Sequence, residues 1–401
     1  MNKSRLRFLV LLVMLVLTVA AGCGSRATHD TGSQKSVANS TTTGEKTRVT
    51  SPSWAEDSTG QKSRDTPAQD GVPAVQTLAS PQTASTRVAD KSRGPQALAD
   101  KGTLVDGSPG ETAGAAATSV KLLVTRDFGN TTLLEKQAPL KKGWTVLDIL
   151  HSNAEVKTAY SGGLVTGING VESRSGGLSS PRHDWFYFVN GICADTGASD
   201  YEPQPGESVW WDYHPWDNTG LMNSAVIGSY PEPFLHGYRG RVKTTIVLSP
   251  ANTLELATSL QAALRAKGVA SVCIRELNEN LLAERAGPTI VVGEWKDLEK
   301  FSWLAHLNQG YKRNGTNVHF TGDSVELLDY RGQPRRSFTE NTGVIAATGE
   351  GLGDDSPLWL VAGVDRKGLE GAVAVLARDP EKVCGMYSAA IISGKAISLP
   401  L

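Results

Sequence analysis

Cysteine is scarce in this 401-residue chain: there are four, and no two stand in a C-x-x-C arrangement. That excludes a disulfide framework as the source of the fold and gives no support to a zinc knuckle or a thioredoxin-type site. An excess of one charge is lacking as well, since 40 Lys and Arg stand against 41 Asp and Glu. No basic stripe is present, so nucleic acid is not an expected partner. No apolar run reaches the roughly 20 residues that span a bilayer as a helix. G-x-S-x-G, H-E-x-x-H and paired catalytic carboxylates are also missing, so an enzyme is not expected, although a constellation assembled by folding leaves no local motif. Gly349-Glu350-Gly351-Leu352-Gly353 has the wrong spacing for a phosphate loop and carries acidic neighbours, so it reads as a turn.

The N-terminus carries Lys3, Arg5 and Arg7 before a short apolar run from Phe8 to Val19, then Ala20-Ala21-Gly22-Cys23. The charged n-region and short h-region are those of an export signal. The four closing residues resemble the lipobox of bacterial lipoproteins, which implies removal of residues 1–22, lipid on Cys23, and a cell-membrane anchor on the extracytoplasmic side. The plainer alternative is an ordinary secretory signal with an incidental cysteine. Without the leader, 37 basic residues face 41 acidic ones, a net charge of −4. Cys193, Cys273 and Cys384 remain, an odd number that leaves at least one thiol free, with Cys273 and Cys384 one candidate bridge.

From Cys23 to residue 117 the chain is rich in Ser, Thr, Gly, Ala, Asp and Lys, and Trp54 is its single aromatic residue. Such a segment buries too little apolar surface to offset its ordering entropy. It is expected to be a disordered tether, reaching roughly 5–6 Å × √n as a coil. A glycosylation or wall-association role for it stays open. Residues 118–216 then read as a small α+β domain of order ββαβββ, with a capping box at Thr145 and Asp148 before a short helix from Val146. Residues 217–241 read as a connector, with Pro231, Pro233 and several glycines. From Val242 to the end, strands alternate with helical stripes at 253–267, 296–308 and 367–377, which predicts an α/β layered domain with a largely parallel sheet.

Nine of the 26 aromatic residues fall between Trp185 and Trp216, on two predicted strands. Alternation places Trp185 and Tyr187 opposite Phe186 and Phe188, and Trp211 and Tyr213 opposite Trp210 and Asp212. One face must be core, and the other displays its rings unless the connector or second domain covers it. The runs Gly143-Trp144-Thr145-Val146-Leu147-Asp148-Ile149-Leu150, Val165-Thr166-Gly167-Ile168-Asn169-Gly170-Val171, Trp185-Phe186-Tyr187-Phe188-Val189-Asn190-Gly191 and Pro205-Gly206-Glu207-Ser208-Val209-Trp210-Trp211-Asp212-Tyr213 occur in that order. Residues 119–216 thereby resemble the C-terminal domain of transcobalamin and intrinsic factor. The resemblance implies a β-grasp-like fold and, more weakly, corrinoid binding, because the all-helical barrel of those carriers is absent here.

Trp210, Trp216, Tyr213, Trp185 and Tyr187 are the candidate ligand-binding rings, with Trp210 and Trp216 expected on the surface and core packing the alternative for each. His183, His214 and His236 flank them; an imidazole ligates metals, but no second ligand stands at a diagnostic spacing, so a surface or hydrogen-bonded role is favoured and no metal site is assigned. The expected function is a membrane-anchored, extracytoplasmic ligand-binding lipoprotein, with cobalamin as the implied ligand and uptake machinery as a candidate partner. The alternative is an envelope interaction or structural module that holds protein or glycan.

Overall fold

The computed structural model describes residues 118–160, 163–177, 180–216 and 223–401. The leader, Cys23 and the tether lie outside the described residues. Among the described residues no helix is long and apolar enough to cross a membrane.

The first half is built on two sheets. Strands β1 (Ser119–Arg126), β2 (Thr131–Pro139), β6 (Arg182–Val189), β7 (Ile192–Cys193) and β8 (Ser208–Trp216) form a five-stranded sheet of order β2-β1-β8-β6-β7. Only the β1–β8 pairing is parallel. Helix α1 (Val146–His151) buries Val146, Ile149 and Leu150. Its capping box forms as expected: Thr145 Oγ1 accepts from Asp148 N at 3.1 Å and Thr145 N donates to Asp148 Oδ2 at 2.9 Å. Strands β3 (Val156–Ala159), β4 (Leu164–Ile168) and β5 (Val171–Glu172) form a small antiparallel sheet. These elements pack on one face of the large sheet around Val120, Val124, Trp185, Trp211 and Tyr213.

The second half carries β9 (Thr245–Ser249), α2 (Leu254–Ala266), β10 (Val272–Glu276), α3 (Glu279–Ala283), β11 (Thr289–Glu294), α4 (Trp295–Leu298), α5 (Ser302–Gln309), β12 (Val318–Thr321), β13 (Ser324–Leu328), β14 (Pro334–Phe338), β15 (Thr342–Thr348), β16 (Leu358–Gly363), α6 (Arg366–Arg378), β17 (Ser388–Ile392) and β18 (Lys395–Leu399). Its seven-stranded sheet has the order β10-β9-β11-β16-β15-β17-β18. The sheet is mixed rather than largely parallel. The pairings from β10 to β16 are parallel and those from β16 to β18 are antiparallel. The reason lies in the connections: a parallel return needs a crossover of about a dozen residues or more. The loop from Gly349 to Pro357 is shorter than that, and Ser393-Gly394, with φ of 50° and 77°, makes a tight hairpin. Alternate residues of the sheet separate into two cores. Val247, Ile290, Trp359 and Val361 face α2 and α6, while Leu248, Val291, Leu358 and Leu360 face α3 to α5 and the meander β12-β13-β14.

The helical stripe read at 296–308 is two helices. Phe301 is extended (φ −88°, ψ 121°), and the Glu279 carboxylate accepts from Ser302 N and Trp303 N, which restarts the helix at α5.

The described part of the connector, residues 223–241, is packed and does not form a hinge. Ala225, Ile227 and Phe234 belong to the core under α2 and α6, with Phe234 against Trp359 at 5.0 Å. Tyr238 belongs to the core of the first half. Val226 N donates to Gly191 O and Ile227 N to Tyr387 O, so the segment is stitched to both halves. A Cβ on Gly228 would meet Met386 N at 2.5 Å, so only glycine allows this approach of backbones. The prolines and glycines that read as a linker shape a packed seam. The bridge between Cys273 and Cys384 is also absent: Cys193, Cys273 and Cys384 are all free thiols.

Candidate functional site

Across β8 and β6 the antiparallel register sets Trp210 opposite Phe188, Asp212 opposite Phe186, His214 opposite Asp184 and Trp216 opposite Arg182. All lie on the sheet face away from α1, because side chains alternate along a strand. Leu123 and Thr125 join this face from β1, beside Trp210 and Asp212. Its near end is closed by the second half: Tyr387 packs edge-on against Phe188 and Trp210, at 5.5 and 5.3 Å.

This corrects the expectation for Trp210, which is 0 % exposed and not a surface platform. Its Nε1 donates to Thr125 Oγ1 at 2.7 Å. Trp185 and Tyr213 are buried as well, on the opposite face. Trp185 Nε1 donates to Val171 O and Tyr213 Oη to Glu172 O, the use of a polar tip expected of aromatics in a core. Tyr187 is half-buried and donates to Thr196 O at 2.5 Å. Of the five candidate rings, Trp216 alone stands half-buried at the open end of the outer face. Its Nε1 donates to Asp184 Oδ2 at 2.6 Å and the Arg182 guanidinium lies 5.3 Å from its ring centre.

The sequence reading missed the centre of this face. The Asp212 side chain is fully buried and accepts from Thr125 Oγ1 (2.5 Å), Phe128 N (3.1 Å), Gly129 N (3.0 Å), His214 Nδ1 (2.8 Å) and Tyr387 Oη (3.2 Å). The two backbone donors are aligned by a turn in which Asp127, Phe128 and Gly129 all have positive φ, at 58°, 58° and 82°. Left-handed backbone is costly for residues with a Cβ, about 1–2 kcal/mol each. The turn is therefore held by the carboxylate it faces. Burial, with the Asp212 charge beside it, pushes the Tyr387 hydroxyl well above its ordinary range, so it serves as a donor.

His214 is 7 % exposed and sandwiched between Phe128 and Phe186, with centroids 4.4 and 4.3 Å away and interplanar angles of 28° and 16°. Tyr330 continues the stack beyond Phe128 at 6.0 Å. With Nδ1 held by Asp212, the other ring nitrogen, Nε2, has no hydrogen-bond partner among the described residues. The other two histidines are separate from this arrangement. His183 stacks on Tyr213, and His236 Nδ1 bonds Glu232 Oε1 at 2.5 Å. Among the described residues no group of three or more His, Cys, Asp or Glu is arranged to hold a metal ion. A pattern signal for the site existed: Thr125, Asp212 and His214 are polar residues on strand positions that share a face with large rings.

Residues 143–215 match the family described as Domain of unknown function (DUF4430). This family is known as transcobalamin-like. No curated protein matches the chain. The DUF4430 segment runs from just before α1 into β8, so it contains Phe186, Asp212 and His214. Thr125 and Phe128 precede it, and Tyr330 and Tyr387 come from the second half. The Asp212 cluster is thus completed by parts of the chain outside the family match.

Proposed function

We propose that this chain is a lipid-anchored extracytoplasmic binding protein. Its first half has the β-grasp-like layout of the transcobalamin C-terminal domain, and its ligand is a corrinoid-type macrocycle met at the open end of the β6–β8 face. The Asp212–His214 pair carries this reading. An imidazole whose Nδ1 is held by a carboxylate presents Nε2 in the form used by metal-ligating histidines. His214 Nε2 would be the atom that holds a corrinoid's metal, and the rings beside it would supply apolar contact. Phe128 and Phe186 flank the imidazole, and Trp216 is the next side chain on the same face. Lipid on Cys23 and the tether would hold this face away from the membrane, within reach of uptake machinery.

The test is a titration of the full chain with aquocobalamin, read by its visible absorption bands and by tryptophan quenching. The parent should shift the bands, His214→Ala should not, and Trp216→Ala should bind about tenfold to a hundredfold more weakly. Neither shift nor quenching in the parent would remove the corrinoid. A second reading, an envelope module that holds protein or glycan, would then stand. It draws on the β3–β4 tip, where Tyr160 is 81 % and Leu164 46 % exposed.

A further inference from the structure

A cleft of about 670 Å³ opens in the second half between α3 and α5, lined in part by Asn280, Ala283, Trp303, His306, Leu307 and Arg313. It shares no residue with the Asp212 cluster. The geometry points to a binding site in this cleft for a carboxylated sugar of a glycan.

The walls are fixed by their own contacts. Glu279 accepts from Ser302 N (2.5 Å), Ser302 Oγ (2.9 Å) and Trp303 N (3.2 Å), so its negative charge is engaged by the start of α5. Asn314 is likewise engaged, donating to Leu307 O and accepting from Thr316. Arg285 lies 5.2 Å from the Trp303 ring centre and is itself pinned to Leu282 O and Ser356 O, which steadies the indole. His306 Nδ1 bonds Ser302 O at 2.8 Å, leaving Nε2 as its available atom.

What remains for a ligand is an apolar floor and a set of polar groups at its rim. Trp303, Ala283 and Leu307 supply the floor. The Arg313 guanidinium, the Asn280 side-chain amide and His306 Nε2 have no hydrogen-bond partner among the described residues. A guanidinium recognises a carboxylate through paired hydrogen bonds. A sugar ring has an apolar C–H face for the indole and hydroxyls for Asn280 and His306. The cleft is open, so its ligand keeps one side in water. That suits a sugar better than an apolar acid, which would need enclosure.

The full chain should be titrated calorimetrically with N-acetylmuramic acid, which carries a carboxylate, and with N-acetylglucosamine, which lacks it. The acid should bind at least about tenfold more tightly. Arg313→Gln, an exposed change that leaves the fold intact, should erase that preference. Trp303→Ala should weaken both sugars, and Trp303→Phe, which keeps a ring and guards against misfolding of the Ala variant, should bind within a few fold of the parent. Absence of binding, equal affinity for the two sugars, or a preference that survives Arg313→Gln would overturn the proposal.

Discussion

The two faces of the five-stranded sheet carry similar rings and are closed in different ways. The inner face, with Trp185, Trp211 and Tyr213, is covered by α1 and the small sheet of the same half. The outer face, with Leu123, Phe188 and Trp210, is covered by Val226 and by Tyr387, more than 170 residues beyond β8. The inner face is closed mostly by apolar packing, with Trp185, Trp211 and Tyr213 buried and Tyr187 half-buried. The outer face grades from a dry core at Trp210, through the hydrogen-bonded Asp212, to half-buried Trp216 at its edge. A site can form on such a face because a buried carboxylate and its imidazole sit where core gives way to surface.

The largest expected effects come from truncating one ring on each face. Trp210→Ala and Trp211→Ala should each cost about 3–5 kcal/mol, as deletions of buried aromatics do. They should differ in what else they disturb. Trp210→Ala also removes the donor to Thr125 and the surface on which Tyr387 packs, so residues 223–241 should become open to protease. Trp211→Ala should leave that seam resistant. Urea midpoints with limited proteolysis read both. A Trp210→Ala chain with the parent's midpoint would mean that the outer face is not a core.

A second contrast lies along β8 itself. Asp212 has five donors, whereas Glu207, fully buried just before the strand, has two: Asn190 Nδ2 at 3.0 Å and Gln204 N at 2.8 Å. Burial pushes Glu207 up to about 7 from an ordinary 4.5, with the nearby Glu232 charge adding to the rise. The native chain thus keeps a proton on Glu207 where the unfolded chain has released it. Glu207's contribution is fully present below pH 4.5 and is lost as pH rises through about 7. Its size is on the order of 3 kcal/mol, from the pKa difference. His236, raised mainly by its hydrogen bond to Glu232, acts in the same direction above its ordinary 6.5. Urea midpoints should therefore fall between pH 5 and pH 7.5, and Glu207→Ala should flatten that fall. A fall of the same size in the variant would assign it to other groups.

Much of the first half was legible because its signals are local. The Thr145–Asp148 capping box and strand alternation depend on neighbours in sequence, and alternation assigned Trp210 and Trp211 to opposite faces correctly. Which face would be covered was not legible, since the cover for Trp210 is Tyr387. The same reason hid the Asp212 cluster, whose donors come from β1, the turn after it, β8 and the segment before β17. Val226, Ile227 and Phe234 were overlooked as core because Pro231, Pro233 and the glycines around them carry a turn signal whether or not the turn is buried. Residues 318–338 went unread as a meander because its outer strand, Pro334-Arg335-Arg336-Ser337-Phe338, is almost wholly exposed and lacks the apolar alternation that marks a strand.

The smallest expected effect isolates the cost of the turn that Asp212 holds. Asp127 and Phe128 both have φ of 58°, but only Phe128 is buried and stacked on His214. The side chain of Asp127 is exposed, and its ion pair with Arg126 at 3.5 Å is of the surface kind that contributes little. Its backbone N–H and carbonyl make the hydrogen bonds of the turn, to Tyr213 O and from Asn130 N, and any residue can make those. Asp127→Gly should therefore relieve a left-handed strain of about 1–2 kcal/mol, partly offset by the greater freedom of glycine in the unfolded chain. A net gain of up to about 1 kcal/mol in urea unfolding follows, with the denaturant slope unchanged. Phe128→Gly would relieve the same strain but remove the ring, and should lose stability instead. If Asp127→Gly also loses stability, the turn is not strained. The carboxylate would then be there for Thr125, His214 and Tyr387 alone, and the two backbone donors would be incidental to it.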